Sequence, residues 1–262
     1  MDREALSAID STEAGSLGVP HLRRLWARVQ LGLLGGDPSP TMGELLLDRI
    51  VCDSLGMGLT DAMQFLFQPG LSYEGFESWI ASIHGGEVPR ARIEQTRHRL
   101  NVALSDPPPP EWGADPGDDD QTMLSAADLD CFERHGYVVV RGAVSAAGSG
   151  AAERAVWEAL GASPEDPDSW YSAGRELRRK VMVELYRHPA LEANRLAPGV
   201  RRAFAQLWET DLLCASTDRV GFSPPERHDY AFPGPGLHFD LHFRAPMPFG
   251  LQGILYLTET PA

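Results

Sequence analysis

The residues with the most chemical potential lie late in the chain, in Leu237-His238-Phe239-Asp240-Leu241-His242-Phe243. On an extended strand, side chains alternate between faces, so His238, Asp240 and His242 share one face. Same-face neighbours stand roughly 6.5 Å apart, which lets an imidazole and a carboxylate converge on one ion. His238 and His242 would lie about 13 Å apart, too far to share it. Neutral imidazole and hard carboxylate suit Fe(II), and a non-haem iron site needs two histidines and one carboxylate on one face of the metal. Asp240 can therefore pair with one of the two histidines as a candidate metal ligand, and the third ligand has to come from elsewhere in the fold. No histidine follows His242 before Ala262, so this reading expects an incomplete copy of such a site. With 8 histidines and 37 acidic residues, about one His-x-acid pair arises by chance, so the pair gains weight only from its surroundings.

Those surroundings are set first by composition. The chain has 262 residues, 43% hydrophobic, enough for one large or two modest domains with a sizeable core. Its formal net charge is −14 with no basic stripe, which argues against nucleic acid and anionic membranes as partners. The start, Met-Asp-Arg-Glu-Ala-Leu, lacks the pattern of a secretory signal, and no apolar run approaches a membrane span. Cys52, Cys131 and Cys214 are widely spaced and follow no zinc pattern, so they read as reduced, core-filling thiols of a cytoplasmic protein.

The elements that must position the candidate ligands follow from periodicity. Residues 1–19 are small and polar and read as a flexible N-terminus. Residues 20–104 read as a helical domain. Leu22, Leu25, Trp26 and Val29 mark its first amphipathic helix. Helices over 42–55, 61–67 and 73–83 follow, the last capped by Ser72. Arg90 to Leu104 is polar and basic and reads as an exposed connecting helix. Residues 105–123 hold four consecutive prolines and an Asp118-Asp119-Asp120 run and read as a linker. From 124 onward, Ser125 and Asp128 form a capping box for a helix that ends at His135-Gly136. A strand over 137–141, a helix over 145–160 and helices over 176–187 and 198–209 are expected next. Strands over 212–222, 237–243 and 249–258 close the chain, with a proline-rich loop over 223–236.

Three of these segments resemble the phytanoyl-CoA dioxygenase family. The stretch from Leu124 through Phe132-Glu-Arg-His-Gly-Tyr-Val-Val-Val-Arg-Gly142 resembles its N-terminal helix, His-Gly-Tyr and strand. His238-Phe-Asp-Leu-His-Phe243 resembles its metal-binding segment, and Leu251-Gln-Gly-Ile-Leu-Tyr-Leu-Thr258 the strand that follows. The likeness covers residues 124–262, in order and register. It implies an α+β chain: a helical N-terminal domain, then a partial double-stranded β-helix, or jelly roll, with flanking helices. It also implies an Fe(II)- and 2-oxoglutarate-dependent dioxygenase that uses O2 to hydroxylate a small organic substrate. His238 and Asp240 would be the first two iron ligands. Tyr256 matches an aromatic position lining the 2-oxoglutarate pocket, and Gln252 and Thr258 share its strand face. The family's distal histidine and the basic residue beyond it have no counterpart here, so a second chain completing the jelly roll is a possible partner. The competing reading is a non-catalytic or split relative that acts as a binding module without iron.

Overall fold

The computed structural model describes residues 2–105, 122–172, 174, 178–211, 213, 215–234, 236 and 250–258. The chain falls into two compact units, residues 1–115 with 214–218, and residues 116–213 with 219–262.

The first unit is built from helices α1 (Arg3–Ala8), α2 (Leu22–Leu33), α3 (Met42–Ser54), α4 (Leu59–Leu66), α5 (Tyr73–Ser82) and α6 (Arg90–Ala103). The apolar stripe of α2 does what its spacing requires: Leu22, Leu25, Trp26 and Val29 are all buried. Thr41 and Glu44 close a reciprocal capping box on α3, and Ser72 caps α5 by accepting from the Gly75 amide. The core gathers Leu25, Leu55, Met57, Leu66, Phe76, Ile80 and Leu100.

Two expectations for this unit are corrected. Residues 2–19, the described part of the expected flexible N-terminus, are not loose. Asp2 caps α1 and Leu6 is buried in the core. The buried Glu77 carboxylate accepts from the Ser16 amide at 3.2 Å, the Ser16 hydroxyl at 2.6 Å and the Leu17 amide at 2.9 Å. A polar, glycine-rich stretch can thus be held by one buried acceptor, which hydrophobic periodicity does not register. Helix α6 is no exposed connector either. It packs on α3, with Thr96, Leu100 and Val102 buried. Its arginines serve the open carbonyl end of α3: Arg92 donates to the Ser54 carbonyl at 3.0 Å and Arg99 to the Ser54 hydroxyl at 3.0 Å.

The second unit holds α7 (Ala126–His135), α8 (Ala146–Leu160), the short α9 (Ser169–Ser172), β1 (Arg178–Arg179), β2 (Met182–Val183), α10 (Pro189–Arg195), α11 (Pro198–Trp208) and β3 (Val220–Gly221). Ser125 and Asp128 form the expected capping box, and Gly136 ends α7 at φ 74° in the left-handed region. The Gln206 side chain ties the start of this unit to α11. Its oxygen accepts from the Met123 and Leu124 amides at 2.8 Å each, and its nitrogen donates to the Leu124 carbonyl. Helix α10 packs on α8, where the buried Asn194 amide donates to the Gly148 carbonyl at 3.0 Å.

Here the sequence expectation fails most. Among the described residues the sheet consists of three two-residue strands in the order β1-β2-β3, antiparallel throughout. The described chain is mainly helical, and the partial double-stranded β-helix is not its architecture. Residues 137–141 and 250–258 belong to no helix and join no described ladder. Their β-favouring composition makes them strand-like, yet a strand is stabilised by its cross-strand neighbours rather than by propensity. The helix expected over 176–187 is also absent from its described residues, 178–187. Lys180 turns the chain at φ 59°, Val183 is buried and Met182 is exposed, a two-residue alternation within a stretch rich in helix formers.

Gly199, in the first turn of α11, supplies a close approach in this unit. A Cβ there would stand 2.5 Å from the Ala143 carbonyl oxygen and 2.9 Å from its Cα. Because backbone atoms cannot give way cheaply, Gly199→Ala is expected to cost about 1–3 kcal/mol. A drop in the urea midpoint of the full chain at unchanged slope checks it.

Candidate functional site

His238 and Asp240, the candidate metal ligands, lie outside the described residues, as do His242 and the segment over 237–243. The residues assigned to the 2-oxoglutarate pocket are described. Tyr256 is 66% exposed, and Gln252 and Thr258 are exposed as well. In the same segment Leu257 packs against the Val156, Leu160 and Val183 core, while Ile254 and Leu255 face solvent. The structure therefore anchors this segment at Leu257 and gathers none of the three proposed pocket residues into a described cavity. Among the described residues no group of three or more His, Cys, Asp or Glu side chains is placed to hold a metal ion.

Two other polar constellations are well formed. In the first unit a chain of bonds runs through the buried core. The Ser11 hydroxyl meets Nδ1 of His21 at 2.8 Å, and Nε2 of His21 meets Asp48 at 2.8 Å. The second Asp48 oxygen is bonded by Arg28. Glu44, one turn before Asp48, accepts from Arg24 at 2.8 Å and lies 3.8 Å from Arg28. Burial works against the Glu44 charge, but the Thr41 amide and Arg24 outweigh it and hold its pKa at about 2. Its stabilising contribution is thus present above the ordinary carboxylate range and is lost as pH falls through about 2.

Hydroxyl, imidazole and carboxylate in line is the order a nucleophilic relay uses. The surroundings make this one structural. His21 is 1% exposed, and Arg28 already neutralises Asp48. The nearby Thr12 amide is bonded to Asp10, and the Ser16 and Leu17 amides to Glu77, so these donors are not free to hold a developing oxyanion. His21 is held at φ 67°, a region non-glycine residues rarely adopt, and its amide donates to the Ser11 carbonyl at 2.8 Å. The network pins the entry to α2 onto α3. Its sequence signal was available: Arg24 and Arg28 on one helix and Glu44 and Asp48 on another repeat at i, i+4, so each presents two like charges on one face.

The second constellation surrounds the small sheet. Arg178 donates to the Tyr230 hydroxyl at 2.5 Å and lies over the Phe222 and Tyr230 rings. Arg227 lies 3.6 Å from the centre of the Tyr171 ring, and Tyr171 meets Tyr230 edge to face. Arg178 also donates to the Lys180 and Trp170 carbonyls, and Arg227 is bonded to Asp168 and Asp229. Both guanidiniums are occupied by the protein itself, so the cluster braces the loop over 223–230 and leaves no fork open to a carboxylate ligand.

Cys52 is fully buried, and burial pushes its thiol pKa up, which keeps it inert. No described helix is long and apolar enough to cross a membrane. Compared with known protein families, curated proteins and solved structures, the chain matches none.

Proposed function

We propose that this protein belongs to the Fe(II)- and 2-oxoglutarate-dependent oxygenases, with His238 and Asp240 as iron ligands. The observation that carries this is the His238-Phe239-Asp240 pair, placed downstream of a helix ending in His135-Gly136-Tyr137 and upstream of 251–258. The donor set fits the metal, since neutral imidazole and hard carboxylate suit Fe(II). A third protein ligand would leave positions open for 2-oxoglutarate and O2, and these would supply the oxidising power to hydroxylate a small organic substrate. The chain's own residues have simpler tasks. His238 must stay neutral to ligate, and Asp240 must stay ionised, so metal binding weakens on acidification.

The binding-module reading is favoured by a different observation. Tyr137, Val139, Ile254, Leu255 and Tyr256 are all exposed, on stretches of strand-like composition outside any described helix or strand, which suits a partner strand.

Anaerobic Fe(II) titration of the full chain tests the first reading. The wild type is expected to bind one equivalent, and Asp240→Ala to bind at least a hundredfold more weakly, beyond the 10–100-fold typical of outer ligand-supporting residues. Unchanged binding in the variant would remove the ligand assignment. A monodisperse, cooperatively folded protein with no iron affinity would leave the binding-module reading standing.

A further inference from the structure

A cavity in the helical unit opens beside the end of α2. It has a volume of about 110 Å³ and is lined by Gln30, Leu33, Leu34, Pro69 and Gly70. Leu33 and Leu34 are 38% and 43% exposed, so its mouth is apolar and reaches solvent. Gly70 holds φ 76°, and a Cβ there would meet no atom within 4 Å, so this wall is bare backbone. Gln30, the polar side chain of the lining, is 2% exposed. Its Nε2 donates to the Leu66 carbonyl at 2.6 Å and to the Gln68 carbonyl at 3.3 Å, at and just beyond the end of α4. Both amide hydrogens are thereby used, which fixes the end of the amide that carries the oxygen. That oxygen, Oε1, points away from the two carbonyls and meets no donor among the described residues. We propose that the cavity binds a small neutral molecule, one apolar ring bearing a single hydroxyl or N–H donor. The donor bonds Gln30 Oε1, and the ring lies against Leu33, Leu34 and Pro69.

Size and charge narrow the class. An apolar cavity of about 150 Å³ encloses benzene, so this one seats a single ring whose edge lies in the mouth. No charged side chain lines it, so an ionised ligand would lose hydration without gaining a counter-charge. A buried acceptor selects a donor, because a ring without one would leave Oε1 desolvated and unpaired. The site lies in the helical unit and does not depend on the iron reading.

Titration of the 15N-labelled full chain with phenol, followed by amide NMR at pH 7 where phenol is neutral, tests this. The amide signals of Leu33, Leu34 and Gly70 should shift together and saturate with a dissociation constant on the order of millimolar, while those of α6 stay in place. Leu34→Trp, at a half-exposed position, fills the mouth and should abolish the saturable shifts. Gln30→Met keeps the size of the side chain and removes the acceptor. Fluorobenzene has the shape of phenol and no donor. The preference for phenol over fluorobenzene should fall about tenfold in Gln30→Met, the weight of one hydrogen bond. Shifts that never saturate, phenol binding that survives Leu34→Trp, or an equal preference in wild type and Gln30→Met would overturn the site. If Gln30→Met folds poorly, phenol saturation and the Leu34→Trp result decide the matter alone.

Discussion

Asp48→Ala is expected to lower the stability of the helical unit by about 3–5 kcal/mol, the range for breaking a buried ion pair from one side. Arg28 is 5% exposed, and its NH1 already lacks a hydrogen-bond partner. Removing Asp48 leaves that guanidinium in the core with Glu44 at 3.8 Å as its remaining counter-charge. His21 loses its Nε2 partner in the same step, so the strained backbone at φ 67° loses one of the bonds that hold it. A second variant separates charge from packing. Replacing Arg28 and Asp48 together by apolar residues of similar size should cost much less than Asp48→Ala alone, because no uncompensated charge remains. Urea unfolding of the full chain measures both. A loss below 1 kcal/mol for Asp48→Ala would mean that water reaches Arg28.

Phe76→Ala is expected to cost about 3–5 kcal/mol through the cavity it leaves. The ring is fully buried on α5 and stacks with Trp79 at 5.8 Å and with Phe65 at 6.5 Å. Phe65 and Trp79 are themselves stacked at 4.6 Å, so the three rings form one block joining α4 to α5. Deleting the Phe76 ring removes its apolar burial together with its two aromatic contacts. Phe67, just beyond α4, supplies the contrast. It is 55% exposed, and Phe67→Ser should change stability by no more than about 0.5 kcal/mol. Equal effects at the two positions would contradict the placement of the aromatic block.

The helical unit was legible in the sequence because its information is local and periodic. The stripe on α2 and the cap at Ser72 announce themselves within a few residues, as does the cap at Ser125 in the second unit. The polar contacts that finish the unit were not legible, because they join distant positions. Ser11 meets His21, Glu77 reaches back to Ser16, and Arg92 finds the carbonyl end of α3. No window of periodicity contains both partners. The second unit was misread where strand propensity stood in for strand pairing. Tyr137 to Arg141 and Leu251 to Leu257 have the composition of strands, but the described sheet pairs only 178–179, 182–183 and 220–221. Of the proposed site, Tyr256, Gln252 and Thr258 could be placed, and among the described residues they are exposed. His238 and Asp240 remain a reading of residue chemistry and order.

The most direct test of that reading is chemical. The full chain is mixed with Fe(II), 2-oxoglutarate and O2, and succinate is measured against the same mixture containing the Asp240→Ala variant. The account predicts iron-dependent succinate from the wild type and none above background from the variant. Equal succinate from both, or none from a wild-type chain shown to have bound its iron, would contradict it.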